Sequence, residues 1–139
     1  MKFTTYRFVK SEDLNHHGTL FAGRAAEWFV ETGLMTVAQH VPAEGIVCVN
    51  VHEMRYRKPI KLGGLIEATG KIVLVGNSSF MVHIEFKVDN EVIVSGYVSY
   101  VYVDEKGKTK AHNVTLKLQK EDEVLAERAK YFKETSGHK

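Results

Sequence analysis

The sequence predicts an α+β domain in which a curved antiparallel sheet wraps around one long central helix. One long helical pattern precedes residue 41, and strand-like segments joined by short turns follow it. Short connections are typical of antiparallel neighbours. The helix has one apolar face, which must be buried against the sheet. With 139 residues, 44% of them hydrophobic, the chain is long enough for one domain with its own core.

The elements before the sheet can be justified in order. Residues 2–9 alternate polar and apolar side chains and predict a first strand, and residues 11–18 predict a loop. Residues 22–40 predict the central helix because their apolar side chains recur at about 100° per residue. Its apolar face comprises Ala22, Ala25, Ala26, Phe29, Val30, Gly33, Val37 and Ala38. Pro42 and Gly45 then break the chain.

Strands are predicted over residues 46–57, 64–76, 79–88 and 91–103. The third of these has the cleanest alternation of apolar and polar side chains, which indicates one buried face. The sequence between Val88 and Val92 predicts a hairpin turn through Asp89 and Asn90. Gly70 and Gly96 lie inside strands, where bulges or sharp bends are their usual cause.

The end of the chain predicts one more helix, over residues 116–135, rich in Lys and Glu and only weakly packed. Residues 1–139 are expected to form a single domain, with its core over residues 3–112 and this helical tail after it.

The composition excludes several classes of partner and site. The 19 basic and 17 acidic residues are too balanced to indicate nucleic-acid or membrane binding, and no apolar stretch is long enough to span a bilayer. The single cysteine, Cys48, is expected to be a buried small residue, and the expected location is cytoplasmic. None of the seven histidines forms a metal-binding motif, so we expect no metal, and the glycines match no phosphate-binding loop.

The polar segment between Asp13 and Gly23 has two interpretations. Asp, Asn and His before a helix are ordinary capping and turn residues, and spacing alone favours this interpretation. In the other, the free N–H groups near Ala22 and Gly23 bind a carbonyl oxygen that gains negative charge. Asn15 would then orient water or the carbonyl.

Three further side chains belong to the second interpretation. His17 exchanges protons near neutral pH, and Glu27 or Glu31 would act as a base from the helix. Both glutamates lie at or beyond the edge of the apolar face, so they would face a second subunit in a dimer.

Residues 13–23 resemble the acyl-CoA thioesterases of the hot-dog fold, whose pattern is approximately D-x-N-x-x-G-x-x-F/H-G-G. The matching residues are Asp13, Asn15, Gly18, Phe21 and Gly23, and Ala22 replaces the first glycine of the final pair. A later stretch of the family, F/Y-x-x-P-hydrophobic-x-x-G-D, is matched by Tyr56, Pro59, Ile60 and Gly63, with Gly64 where Asp is usual. The resemblance covers about residues 3–112 and implies the hot-dog fold.

The chain departs from this family at the catalytic carboxylate. The family register places that group at position 30, where this chain has Val30, with Glu31 next to it and Glu27 one turn earlier. Asn15 and His17 have the Asn-x-His spacing of plant acyl-carrier-protein thioesterases, a related hot-dog group in which both residues contribute to catalysis.

The resemblance implies a thioesterase that hydrolyses acyl-CoA or acyl-carrier-protein thioesters at a dimer interface. Asn15, His17, Gly23 and Glu31 would be catalytic, and Ala22, Glu27, Arg57 and Lys58 would bind substrate. Coenzyme A would be part of the substrate, and no other cofactor is implied. The expected assembly is a homodimer or a dimer of dimers. Two alternatives remain: a non-catalytic module that binds acyl-CoA or acyl-phosphopantetheine, and a hydratase or dehydratase of the same fold.

Overall fold

The structure is a computed structural model that describes residues 1–136. Its α-helices and strands are β1 (Lys2–Phe8), α1 (Ala22–Ala38), β2 (Ile46–Tyr56), β3 (Leu65–Val75), β4 (Ser79–Val88), β5 (Glu91–Tyr102) and α2 (Glu123–Thr135). All five predicted strands and both predicted helices are present. Neither of these helices is long and apolar enough to cross a membrane.

The strands form one five-stranded antiparallel sheet in the order β1-β3-β4-β5-β2, so β1 and β2 are its edges. Helix α1 packs on one face of the sheet, here called the inner face. The core lies between them, where the rings of Phe29 and Phe86 meet edge to face with centroids 5.8 Å apart. A long helix enclosed by a curved antiparallel sheet is the hot-dog fold, as the sequence predicted.

The turn between β4 and β5 has the predicted chemistry. Asp89 and Asn90 have positive φ angles of 51° and 65°, the conformation that tight hairpin turns require.

There is no bulge at Gly70, since this residue pairs regularly with Phe3 and Ile84. Gly70 instead lets α1 approach the sheet, because a Cβ there would collide with the Thr36 hydroxyl. Gly96 has a similar role within the sheet, where a Cβ would collide with the backbone carbonyl of Glu53. In both places the glycine is required by a close contact from another element.

The buried face of α1 differs from the predicted one. It includes Trp28, Thr32 and Thr36, whereas Ala22 is exposed and Val30 is only half-buried. The two threonine hydroxyls each donate a 2.7 Å hydrogen bond to the carbonyl four residues earlier in the helix. Because the helix itself satisfies these hydroxyls, both threonines can be buried without a further partner.

Helix α2 begins at Glu123, later than predicted, and it does not pack weakly. It covers the outer face of the sheet, where the Tyr97 hydroxyl donates a 3.2 Å hydrogen bond to the Leu125 carbonyl. Lys71 Nζ lies 2.9 Å from Asp122 Oδ1 and holds the start of the helix. Ala129 is fully buried against the sheet.

Cys48 is exposed, which contradicts the prediction that it is buried. It lies on β2, an edge strand whose apolar side chains also include the exposed Val47, Val49 and Val51. The local sequence reads as a buried strand, and only the position of β2 at the sheet edge exposes it.

Candidate active site at the start of helix α1

The loop before α1 is organised by the Asn15 side chain. Asn15 Oδ1 accepts hydrogen bonds from the backbone N–H groups of His17 and Thr19, at 2.9 and 3.2 Å. Asn15 Nδ2 donates to Thr19 Oγ1 at 3.1 Å, and Gly18 makes the turn with a φ of 78°. A primary amide has two N–H donors, so one remains for a ligand beside this bond. Asn15 therefore acts as a turn residue, as the first interpretation of the sequence expected. It also keeps one N–H donor that could bind a ligand, as the second interpretation requires.

Asp13 joins this loop to the helix. Its side chain is almost fully buried, and Oδ2 accepts a 2.9 Å hydrogen bond from the Lys10 N–H. Oδ1 lies 3.4 Å from Nε of Arg24, in the first turn of α1. A buried carboxylate needs such partners, so Asp13 is a structural anchor in this arrangement.

Within residues 1–136, the first turn of α1 presents backbone donors that have no acceptor. The first N–H groups of an α-helix have no acceptor within the helix, and Phe21, at the N-cap position, has no side-chain acceptor to offer them. Ala22 is exposed and Gly23 is half-buried. The Phe21 ring lies over Gly23, since a Cβ there would be 2.6 Å from a ring carbon. The helix start can therefore accept an electron-rich oxygen, with an aromatic ring beside it.

Tyr56, at the end of β2, contacts the same turn. Its hydroxyl donates a 2.8 Å hydrogen bond to the Ala22 carbonyl, and partial burial raises the pKa of this phenol. The bond connects the edge strand to the helix start across 34 residues of sequence.

The two motif segments of the family resemblance meet in space. The Leu20 N–H donates to the Ile60 carbonyl at 2.7 Å, and Thr19 pairs with Lys61 in an isolated bridge. The segment after β2 therefore supports the loop that contains Asn15.

The two candidate carboxylates, Glu27 and Glu31, lie at different distances from the start of α1. Glu31 forms an ion pair with Arg7 of β1, and its side chain is about half exposed. Glu27 is more exposed and lies 3.8 Å from Arg24. At a rise of about 1.5 Å per residue, Glu31 is about 12 Å along the axis from Gly23, and Glu27 about 6 Å. Within one chain, Glu31 is therefore not brought to the helix start.

The remaining candidates are exposed. The imidazole of His17 lies against that of His16, with centroids 3.9 Å apart. Lys58 Nζ is 2.8 Å from Glu91 Oε2, and Arg57 Nη2 donates to Ser95 Oγ at 3.3 Å. A phosphate that binds Lys58 would therefore have to compete with a carboxylate.

Three residues around the site were not among the site residues predicted from the sequence: Arg7, Arg24 and Tyr56. The spacing of Arg24 and Glu27, three residues apart on a helix, was a usable signal. Tyr56 had a signal as the aromatic residue of the F/Y-x-x-P stretch, although its contact with α1 arises only in the tertiary fold. Arg7 also reaches α1 only through the tertiary fold, and its contact has no local signal.

Comparisons with known proteins identify the family of the chain. The family description of the thioesterase superfamily matches residues 17–95. No curated protein matches the chain.

Solved structures share the fold at low identity. An acyl-CoA hydrolase from Staphylococcus aureus has a TM-score of 0.84 and 23% identity, covering 97% of this chain and 83% of that one. An acyl-CoA hydrolase from Bacillus cereus has a TM-score of 0.86 and 16% identity, covering 96% and 84%. A hexameric thioesterase from Yersinia pestis has a TM-score of 0.73 and 23% identity, covering 80% and 94%. Because the matched family region spans more than half of the sequence, including the open helix start, the chain belongs to the thioesterase superfamily.

Proposed function

We propose that the protein hydrolyses acyl-CoA thioesters to a free carboxylic acid and a thiol. The observation that carries the proposal is the open start of α1, where unpaired N–H groups at Ala22 and Gly23 lie beside the Asn15 loop. Such donors stabilise the oxyanion that forms when water attacks a thioester carbonyl. Membership of the thioesterase superfamily and the acyl-CoA hydrolases among its structural neighbours support this choice of reaction.

The carboxylate would come from a second subunit. Glu31 is too far along α1 to serve its own helix start, but it lies on the face that is not buried against the sheet. In a homodimer with α1 helices side by side and antiparallel, Glu31 of one chain approaches Gly23 of the other. Glu31 would remove a proton from water as the water oxygen bonds to the thioester carbonyl carbon. The carbon–sulfur bond would then break, and the proton held by Glu31 would pass to the leaving thiolate.

The inner surface of β2 supports the homodimer. Val51 pairs with the core residue Val98 and Cys48 with the buried Tyr100, so both lie on the inner face, yet both are exposed. An apolar edge strand left open in this way is a site for pairing with another chain. Pairing of dimers into tetramers or hexamers would build on the same unit, and the Yersinia pestis neighbour is hexameric.

The other candidate residues would act on the substrate around this centre. The second amide N–H of Asn15 and the imidazole of His17 would position the water or the carbonyl, while Ala22 and Glu27 would line the entrance. Arg57 and Lys58 would bind the phosphates of coenzyme A, or of the phosphopantetheine arm of an acyl-carrier protein, with Lys58 exchanging its Glu91 partner for phosphate.

The direct test follows free thiol release from acyl-CoAs of graded chain length, in parallel with one acyl-carrier-protein thioester. We expect release above background for at least one acyl-CoA. Absence of release for every substrate would refute hydrolysis.

A second candidate function is binding of acyl-CoA without hydrolysis. Two observations favour it: Val30 occupies the family's carboxylate position, and Glu31 is paired with Arg7. Saturable binding of a nonhydrolysable acyl-CoA, with no thiol release from the corresponding thioester, would support this function over the first.

A further inference from the structure

The outer face of the sheet contains a cavity of about 560 Å³ that is separate from the proposed active site. Its floor is formed by side chains of β3, β4 and β5, including Leu74, Met81 and Val101. Leu74 pairs with Met81, and Met81 with Ser99, so these side chains share one face. The sheet itself separates the cavity from α1. The volume lies within the range of small-molecule sites, about 300–1,000 Å³.

The cavity combines this apolar floor with a few polar groups. His52 Nε2 and Ser99 Oγ are 2.9 Å apart at one side. The backbone turn from Gly76 to Ser79 forms another side. Apolar walls with a small number of fixed polar groups are typical of sites for small amphipathic molecules.

His52 and Ser99 do not form a nucleophilic pair. Asn50 Nδ2 donates toward His52 Nδ1 at 3.3 Å, so Nδ1 is the acceptor nitrogen of the imidazole. Nε2 then bears the proton and donates to Ser99 Oγ, whereas a general base would need a free lone pair at Nε2. The pair is a polar binding surface.

One full charge lines the cavity. Lys133, near the end of α2, has its Nζ 3.3 Å from the position of a Cβ added at Gly76, so the ammonium lies over the turn that borders the cavity. Within residues 1–136, no carboxylate is paired with Lys133, whereas Lys130 of the same helix lies 3.9 Å from Glu127. The backbone carbonyl of Lys133 accepts a 3.3 Å hydrogen bond from the Ser136 hydroxyl.

From this combination we propose that the outer cavity binds a medium-chain carboxylic acid, with the carboxylate on Lys133 and the alkyl chain along Leu74, Met81 and Val101. The proposed hydrolysis also releases a carboxylic acid. A regulatory role for the cavity, as a sensor of this product, therefore rests on the proposed function. Binding itself does not, and it can be measured without turnover.

The test uses the methionine methyl groups as separate reporters. The chain has four methionines. Met81 lines the cavity, and Met54 Sδ is 3.6 Å from the Tyr56 hydroxyl beside the start of α1. Titration of octanoate into protein labelled with ¹³C at the methionine methyls should shift the Met81 signal saturably, with Met81→Leu providing the assignment. A Met81 signal that does not move with octanoate would overturn the proposal.

Substitutions and a matched ligand separate charge from apolar contact. Lys133→Gln should weaken octanoate binding at least fivefold, as read at Met81, while Lys133→Arg and the control Lys130→Gln should leave it unchanged. Binding of octanol should be the same in wild type and Lys133→Gln. Thermal unfolding would first check that wild type and Lys133→Gln are both folded. Equal octanoate affinity in these two proteins would then also overturn the proposal. Octanoate binding at Met81 in a protein without thioesterase activity would refute the proposed function and leave the cavity assignment standing.

Discussion

The hydroxyl of Tyr100 donates a 2.6 Å hydrogen bond to the carbonyl of Val30, inside the core between β5 and α1. The ring reaches this carbonyl because Gly33, one turn along the helix, has no Cβ, and an added Cβ would overlap the hydroxyl. Burial also raises the pKa of Tyr100 well above its ordinary value, which keeps the phenol protonated as a donor. Gly33 and Tyr100 therefore help to set the depth of the central helix in the sheet, together with the close contact between Thr36 and Gly70.

Gly33→Ala should consequently lower the free energy of unfolding by about 1–3 kcal/mol, the usual cost of an overpacked core. Chemical denaturation measures this change. Gly23→Ala is the control in the same helix, because the atoms nearest to its added methyl belong to the exposed Phe21 ring, which can move. A loss of stability in Gly23→Ala equal to that in Gly33→Ala would contradict the explanation.

The two glutamates of α1 should differ in their effect on turnover. Glu31→Gln is expected to lower kcat at least about tenfold, since general-base catalysis typically contributes 10²–10⁴-fold. Glu27→Gln makes the same replacement of a carboxylate by an amide on the same helix, and it should lower kcat less. The measurement is thiol release under saturating acyl-CoA. Wild-type activity in both variants would remove the carboxylate from the mechanism.

The dimer interface should depend on the inner surface of β2. Val51→Lys places a charge on an exposed residue of this edge strand and should lower the molecular mass measured by analytical ultracentrifugation. Hydrolysis should decrease with it, because each site would need Glu31 of the other subunit. Tyr6→Lys, at an exposed residue of the opposite edge strand β1, is the matched control and should change neither property. A Val51→Lys monomer with full activity would exclude a shared site.

Stability should depend on pH through His83, which is buried on the outer face of the sheet under α2. Burial lowers its pKa below the ordinary 6.5, and its ring meets the Tyr97 ring edge to face. The charged groups around it are Glu85, Lys71, Glu53 and Asp122.

The direction follows from proton binding. As pH falls through 6.5, the unfolded chain protonates this histidine while the lowered pKa holds it neutral in the folded protein, so the free energy of unfolding decreases as pH falls. His83→Leu should be less sensitive than wild type between pH 7 and pH 5, as measured by denaturant titration at each pH. Identical pH dependence in the two proteins would assign the effect to other groups.

Local patterns were sufficient to predict the fold. Alternation over β4 and the Asp89–Asn90 turn are properties of short segments, and the structure contains both. The exposure of Cys48 was not predictable in this way, because it depends on the position of β2 at the sheet edge. The candidate site shows the same contrast. Spacing predicted a turn at Asn15 followed by the start of a helix, whereas the Arg7–Glu31 ion pair joins elements that are distant in sequence.

The hydrogen bonds of Asn15 have a consequence for protein engineering. The same amide that would face the substrate also closes the turn before α1, so Asn15→Ala removes a folding contact together with any catalytic one. Asn15→Asp keeps an oxygen for the two backbone donors, removes the side-chain N–H groups and adds a negative charge. Grafting this loop onto another scaffold would therefore require Thr19 and the Ile60 backbone to be transferred with it, as one structural cassette.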